Sequence, residues 1–369
     1  MRIYFLIVLL SLIRSYSIYA EQNHPLAKLW GIEDIEVPKL LESERNLIAI
    51  DKILRPILEQ DNFSSSFGGS TIYPKENIIT VHTVNFSKVD DLLALPQINP
   101  YKDFLSFDKA ENSMSLSQLE YNFDQIAFEV SSINPERTFI YTDLELNNNV
   151  LYFFNSGINN SATEPYNPKI IYENSSPASQ NITQLRLTGI TNNVFFYAPW
   201  RSDSSSGLLI GPMVYHMTNP HDFGIIDFVG KDVVPTFSVR NDVAAAYIEL
   251  TITDSAPVSS VGAHVCKSGR TTYFTCGYVL GLNGRSYGNV DGIKKDLIIS
   301  DMTSRRGDSG GTVLSFVSPQ NLNSVVVQGI IYGGGILLHA AQSIDIIFKE
   351  IRENTIYDLT LYTGGSSSS

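Results

Sequence analysis

The sequence predicts a β-rich protein, a barrel or sandwich preceded by a small α+β domain. Three observations lead there. The chain has 25 Gly, 19 Tyr and 19 Phe beside many Val, Ile and Thr, a composition that leans towards strands. From about residue 180 short apolar runs recur at regular intervals with Gly, Asn, Asp or Ser between them, as in a sandwich or barrel. Before residue 160, helical periodicity alternates with hairpin patterns, which suggests α+β. With 43% hydrophobic and 17% charged residues the chain is too apolar for disorder, and its 369 residues can bury one large core or two ordinary ones. A formal charge of −12 argues against nucleic acid, whose phosphates need basic surface.

The elements follow in order. Met1 to Ala20 reads as a secretory signal peptide: Arg2, an apolar run from Ile3 to Ile13, then a short polar stretch ending at Tyr19-Ala20. An anchor would need about 18 or more apolar residues, and Arg14 interrupts this run. Five Asn-X-Ser/Thr sites, at Asn62, Asn85, Asn159, Asn174 and Asn181, fit a secreted, extracellular glycoprotein. Residues 21 to about 160 read as one unit, with amphipathic helices over Leu40–Leu58 and Leu116–Val130. Its hairpins are Ser70–Asn85, turning at Pro74-Lys75-Glu76-Asn77, and Thr138–Phe154, turning at Asn147-Asn148-Asn149. Strands follow at VFFYAP, LLIGPMVYH, FGIIDFV, AAYIELTI, YVLGL, DLIIS and VVVQGIIYG, and a last helix is expected over Ala341–Asn354. Gly364 to Ser369 is a flexible tail without the apolar tract of a lipid anchor, and no repeat of fixed period is present.

The charge is unevenly shared. Residues 21–160 hold 21 acids and 10 bases, and residues 161–369 hold 17 acids and 14 bases. The acidity belongs to the N-terminal unit.

Chemistry concentrates in Gly307-Asp308-Ser309-Gly310-Gly311, a string expected by chance in roughly one chain in a thousand of this length. A serine hydroxyl is a weak nucleophile that needs an exposed, fixed placement. Flanking glycines let the backbone turn so that the amides of Gly307 and Ser309 can share one oxyanion. The two cysteines, Cys266 and Cys276, lie ten positions apart with Gly269 and Thr271-Thr272 between them, so one disulfide closing a hairpin loop is expected. A metal site lacks further ligands at suitable spacing, and neither a metal nor another cofactor is expected.

At these residues the chain resembles the streptogrisin and α-lytic protease group, chymotrypsin-fold serine endopeptidases made with a large N-terminal pro-region. CKSGRTT…CG and RGDSGG carry the resemblance, and FGGSTIYPKENIITVHTVN and TFIYTDLELNNNVLYFF look like strands of that pro-domain. It implies an all-β double six-stranded barrel with a C-terminal helix over residues 164–361, an α+β pro-domain over 21–163 and a tail at 362–369. Ser309 falls on the nucleophile, and HDFGII puts Asp222 on the triad carboxylate. Lys267 resembles the basic partner of the Asp before the nucleophile and is paired with Asp308 on that basis. VVVQGIIYGGG resembles the strand on which substrate adds by β-pairing, with Ile331, Tyr332, Gly333 and Gly334 substrate-binding and an apolar pocket lining.

One part of the pattern is missing. The group's histidine, the general base, has no counterpart among His24, His82, His216, His221, His264 and His339. The best-matching position is Ile190, in Leu187-Thr188-Gly189-Ile190-Thr191, where Thr191 also replaces the first-barrel cysteine. Thr312 replaces the usual Pro after the Gly pair. His216 and His221 lie near Asp222 in sequence, but neither should reach between Asp222 and Ser309. Losing one triad member costs orders of magnitude in rate. Three readings therefore compete: an impaired secreted serine endopeptidase, a working endopeptidase that uses another of the histidines, and a pseudoprotease that binds peptides, inhibitors or partner proteases. The expected partners are a peptide or protein and the chain's own pro-domain.

Overall fold

The computed structural model describes residues 23–133, 135, 137–154, 157–158, 160–173, 194–197, 207–230, 232–242, 247–288 and 292–363. The signal-like segment, Asn159, Asn174, Asn181, Ile190 and the Gly/Ser tail lie outside them.

Helix α1 (Pro25–Trp30) is capped by His24, whose ring accepts the Leu26 amide, and ends at Gly31 with φ +65°. The apolar stripe expected over Leu40–Leu58 forms α2 (Val37–Leu58), and α3 (Asp61–Ser64) follows. Strands β1 (Phe67–Tyr73) and β2 (Ile78–Thr83) pair antiparallel around the expected turn, where Asn77 adopts φ 57°. After the short α4 (Val89–Leu93), β3 (Leu105–Lys109) joins β2 in parallel. Helix α5 (Leu116–Ile133) buries Leu119, Phe123, Ile126, Ala127 and Val130, the expected stripe.

Strands β4 (Thr138–Asp143) and β5 (Asn148–Phe153) form the second hairpin. Its turn lies at residues 144–147, not at Asn147–Asn149. Asparagine propensity is overridden by side-chain bonding. Asn149 accepts the Thr142 hydroxyl opposite it at 2.8 Å and donates to the Leu119 carbonyl at 2.9 Å, while Asn148 donates to the Asn167 carbonyl. Strand β6 (Lys169–Tyr172) lies parallel to β5.

The later strands are β7 (Val194–Tyr197), β8 (Leu208–Met217), β9 (Phe223–Ile226), β10 (Ser238–Arg240), β11 (Glu249–Ser255), β12 (His264–Gly269), β13 (Tyr273–Gly288), β14 (Gly292–Ser300), β15 (Thr312–Phe316), β16 (Ser324–Gly334) and β17 (His339–Ser343). Six of them close on themselves: β12 pairs β13, β13 pairs β14, β14 pairs β17, β17 pairs β16, β16 pairs β15 and β15 pairs β12. Each strand sends one side chain into the interior: Val265, Val279, Ile298, Val313, Ile331 and Ala341, with Met302 at one end. The other C-terminal sheet is β7-β8-β9, three strands among the described residues, so one closed barrel is present and a second is not seen there. The last helix, α6, spans Ile344–Asn354, because Ala341–Ser343 belong to β17. It lays Ile344, Ile347 and Ile351 against Phe223 and Val327.

The N-terminal unit shares cores with the barrel. Leu26, Trp30, Val37 and Leu41 pack with Cys266, Phe274, Leu314 and Phe316. Glu44 of α2, fully buried, accepts the His264 amide at 2.8 Å and also bonds His264 Nδ1, while His264 Nε2 accepts the Phe316 amide at 2.9 Å. Strand β4 pairs with β13 through Ile140↔Arg285, Phe139↔Ser286 and Thr138↔Tyr287. No helix among the described residues is long and apolar enough to cross a membrane.

Candidate active site

Ser309 is exposed on the loop between β14 and β15. Gly307 and Gly310 adopt φ +99° and +83°, where a side chain would strain the backbone, and a Cβ on Gly307 would meet the Thr271 hydroxyl at 2.5 Å. The loop is pinned to the barrel by Gly310 N–H to the Ile331 carbonyl and Ile331 N–H to the Gly311 carbonyl, both 2.9 Å. The amides of Gly307 and Ser309 donate to no protein acceptor among the described residues.

Asp308 is the buried anchor of this turn. Its Oδ1 accepts the Thr271 and Thr272 amides at 2.7 and 3.1 Å, and its Oδ2 accepts the Arg305 amide at 2.9 Å and the Thr272 hydroxyl at 2.6 Å. Lys267 Nζ lies 3.4 Å from Oδ2, with both side chains wholly buried. It also donates to Thr272 Oγ1 at 2.5 Å and to the Tyr273 carbonyl at 2.8 Å. Burial pushes the Asp308 carboxyl up, and the Thr272 hydroxyl with the three amides more than reverses this, leaving it below its ordinary value. Burial holds the Lys267 ammonium below its usual value despite Asp308. The carboxylate is thus better satisfied than the ammonium.

Cys266 and Cys276 form the expected disulfide. They face each other across β12 and β13, so the bond staples a register already set by the hairpin.

Asp222 precedes β9 and its amide donates to Gln342 Oε1 of β17 at 3.3 Å. In register Gln342 pairs with Ile330 and Ile330 with Thr312, three residues after Ser309. Asp222 is therefore tethered to β17 and Ser309 leads into β15, the two strands that flank β16.

No histidine bonds Ser309 among the described residues. All six lie within the described residues. His24 caps α1 and His82 bonds Thr71 Oγ1. His216 sits opposite Gly224 in the β8–β9 ladder. His221, next to Asp222, lies 3.4 Å from Glu350 of α6. His264 is held by Glu44 and Phe316, and His339 Nε2 accepts the Ser304 amide at 3.1 Å. The Ser309 hydroxyl donates instead to the Tyr332 carbonyl at 3.3 Å.

The expected substrate strand needs a correction. Ile331 points into the barrel and is 2% exposed, so it lines no pocket; strand alternation sends it inward where the sequence suggested an apolar lining. Tyr332 turns outward, lies edge-on to Phe139 of β4 and shares a hydrogen bond with Ser286. The Gly334 carbonyl accepts Arg137 Nη2 at 2.9 Å, and Arg137 stacks over Phe154. Beyond Gly333 and Gly334, Glu173 accepts the Ile336 amide at 2.7 Å and the Tyr152 hydroxyl. Arg137 and Glu173 gave no signal in the sequence; only the sheet pairing of the N-terminal unit brings them here. Asn62 and Asn85 are exposed, and among the described residues no His, Cys, Asp and Glu cluster could hold a metal.

No family model matches the chain, and no curated protein matches it. Among solved structures it is similar to a chymotrypsin of Cellulomonas bogoriensis, at 21% identity over 40% of this chain and 76% of that one, with a TM-score of 0.33. It is similar to a Nocardiopsis protease at 20% identity over 38% and 70%, TM-score 0.32. Protease A of Thermobifida fusca matches at 19% identity over 44% and 95%, TM-score 0.34. Likeness at this level carries no argument about activity; the site rests on its own geometry.

Proposed function

We propose that the chain is a secreted homologue of serine endopeptidases that keeps the nucleophile turn without a base, and that it binds peptides there while hydrolysing them at most at a residual rate. In this reading residues 21–163 are a pro-region and 164–361 a two-barrel protease-like domain. The observation that carries it is the state of Ser309: its hydroxyl donates to a backbone carbonyl, five of the six histidines bond other groups, and His216 makes no bond to it. A serine attacks a carbonyl when an imidazole within about 3.2 Å takes its proton and later returns it to the leaving amine. Without that group the turn offers a fixed hydroxyl and two amides, which can hold a peptide carbonyl but neither activate the serine nor protonate the leaving group.

The full-length secreted chain treated with a fluorophosphonate probe tests this. The expected result is labelling no stronger than in Ser309→Ala, with no Ser309-dependent peptide cleavage. Rapid Ser309-dependent labelling with cleavage would make it a working endopeptidase and overturn the proposal.

A further inference from the structure

A second wholly buried aspartate, Asp51 of α2, lies where the N-terminal unit meets the barrel. The seam is made by α2 and β1 against residues 259–263, which lead into β12. There the Ile72 amide donates to the Val261 carbonyl at 3.0 Å, and a Cβ on Gly262, whose φ is +85°, would meet the Ile72 carbonyl at 2.3 Å. Ala263 packs into the core of Leu47, Ile50 and Leu54. Asp308 shows what this protein supplies to a buried carboxylate: three amides, a hydroxyl and an ammonium. Asp51 has one hydroxyl. Ser70 Oγ donates to its Oδ1 at 2.6 Å, while Oδ2 has no hydrogen-bond partner among the described residues, and neither has the nearby Ser260 hydroxyl across the seam. The charged groups that reach it are Arg55 and Glu59, further along the same helix. Arg55 donates to the Ser259 carbonyl and pairs with Glu59 at 3.6 Å, so its guanidinium serves other acceptors. Burial pushes the Asp51 carboxyl above its ordinary value, against smaller opposing effects of Ser70, Ser260 and Arg55.

We propose that Asp51 is a neutral carboxylic acid in the docked structure, and that its ionisation loosens the N-terminal unit from the barrel as pH rises. A buried carboxylate with a single donor is costly to keep, and the chain relieves that cost by holding the proton or by opening the seam to water. Between the ordinary carboxyl value and the raised one, the docked form binds more protons than the opened form. Docking is therefore strongest in acid and weakens by up to about tenfold per pH unit across that window. Buried His24 acts in the opposite sense, so the two groups are separated by comparing chains that differ only at Asp51.

The test uses the full chain and follows amide hydrogen exchange by mass spectrometry from about pH 5 to about pH 8, corrected for the intrinsic pH dependence of exchange. In the wild type, protection over residues 259–263 and β1 should fall by up to about tenfold per pH unit, while β16 and β17 hold theirs. Asp51→Asn keeps an acceptor for Ser70 and carries no charge. It should remove the slope and leave the seam about tenfold or more better protected than in the wild type at about pH 8. Asp51→Ala covers the case in which Asn folds poorly: its cavity lowers protection at every pH, yet its profile should be equally flat. A seam as pH-dependent in both variants as in the wild type overturns the inference, and so does a flat wild-type profile. An Asp51→Asn chain less protected than the wild type at about pH 8, or failure of both variants to fold, would make the charge itself the anchor and refute a neutral acid. A loss shared equally by β16 and β17 would be global unfolding, which refutes a docking switch.

Discussion

Replacing Asp308 by Asn should destabilise the protein far more than replacing its partner Lys267 by Met. At 3.4 Å and an effective dielectric near 20, the Lys267–Asp308 attraction is about 5 kcal/mol. That attraction is offset by the cost of burying both ions, so the two substitutions diverge. Asp308→Asn puts an NH2 where Oδ2 meets the Arg305 amide, the Thr272 hydroxyl and Lys267 Nζ, all hydrogen-bond donors in the native arrangement. It also strands a buried ammonium on two neutral acceptors. The expected cost is about 3–5 kcal/mol. Lys267→Met removes the ammonium and its burial cost, while Asp308 keeps three amides and a hydroxyl, so about 1 kcal/mol is expected. Urea denaturation of both variants measures this. Losing Asp308, its carboxylate partner among the described residues, lowers the Lys267 pKa further in Asp308→Asn. Between the lowered folded value and the ordinary lysine value the unfolded chain binds more protons, so that variant should regain stability as pH rises towards the ordinary lysine value. If Lys267→Met is the more damaging change, or the Asp308→Asn deficit is flat with pH, this account of the turn is wrong.

Burial lowers the His24 pKa from 6.5 to about 4, so the unfolded state binds more protons between those values and stability rises with pH across that window. About 3 kcal/mol present above pH 6.5 should be lost as pH falls to about 4, and His24→Asn, which can still cap α1, should remove that slope from urea midpoints taken between those limits. Glu44→Ala strips two hydrogen bonds from buried His264 and should cost about 2–4 kcal/mol, read as a lower urea midpoint; a loss below about 0.5 kcal/mol would show that water replaces the carboxylate. Cys266→Ser with Cys276→Ser should cost about 2 kcal/mol, the low end for a disulfide, because its loop is short and the flanking strands already pair; the thermal midpoint with and without reductant checks it.

Much of this arrangement was legible in the sequence, for reasons that differ by element. The stripes of α2 and α5 are read correctly because burial at helical spacing leaves a periodic signal over several turns. The Ser309 turn is visible because Gly-Asp-Ser-Gly-Gly is a rare string whose Gly307 and Gly310 supply the positive φ the turn uses. Short pieces were not visible: β3, β6 and β17 hold four or five residues each, and their pairing partners decide them. The Asn147–Asn149 turn was misplaced because propensity cannot see Leu119 and Asn167 waiting to bond the side chains. Ile331 looked like a pocket wall because its inward direction depends on barrel closure. That no histidine sits in the expected motif context is read from the sequence, but what their rings bond needed coordinates.

The pairing of β4 with β13 has a practical side. Over Arg285–Tyr287 it covers the outer margin of a sixteen-residue strand. Expressed without residues 23–173, the barrel would present that margin as bare amides and carbonyls, with the outer faces of Tyr332 and Leu338 uncovered beside it. Such a margin is a template for another copy's strand. The C-terminal half made alone should therefore self-associate and drop out of solution, and a soluble preparation of it would need the N-terminal half supplied as a separate chain.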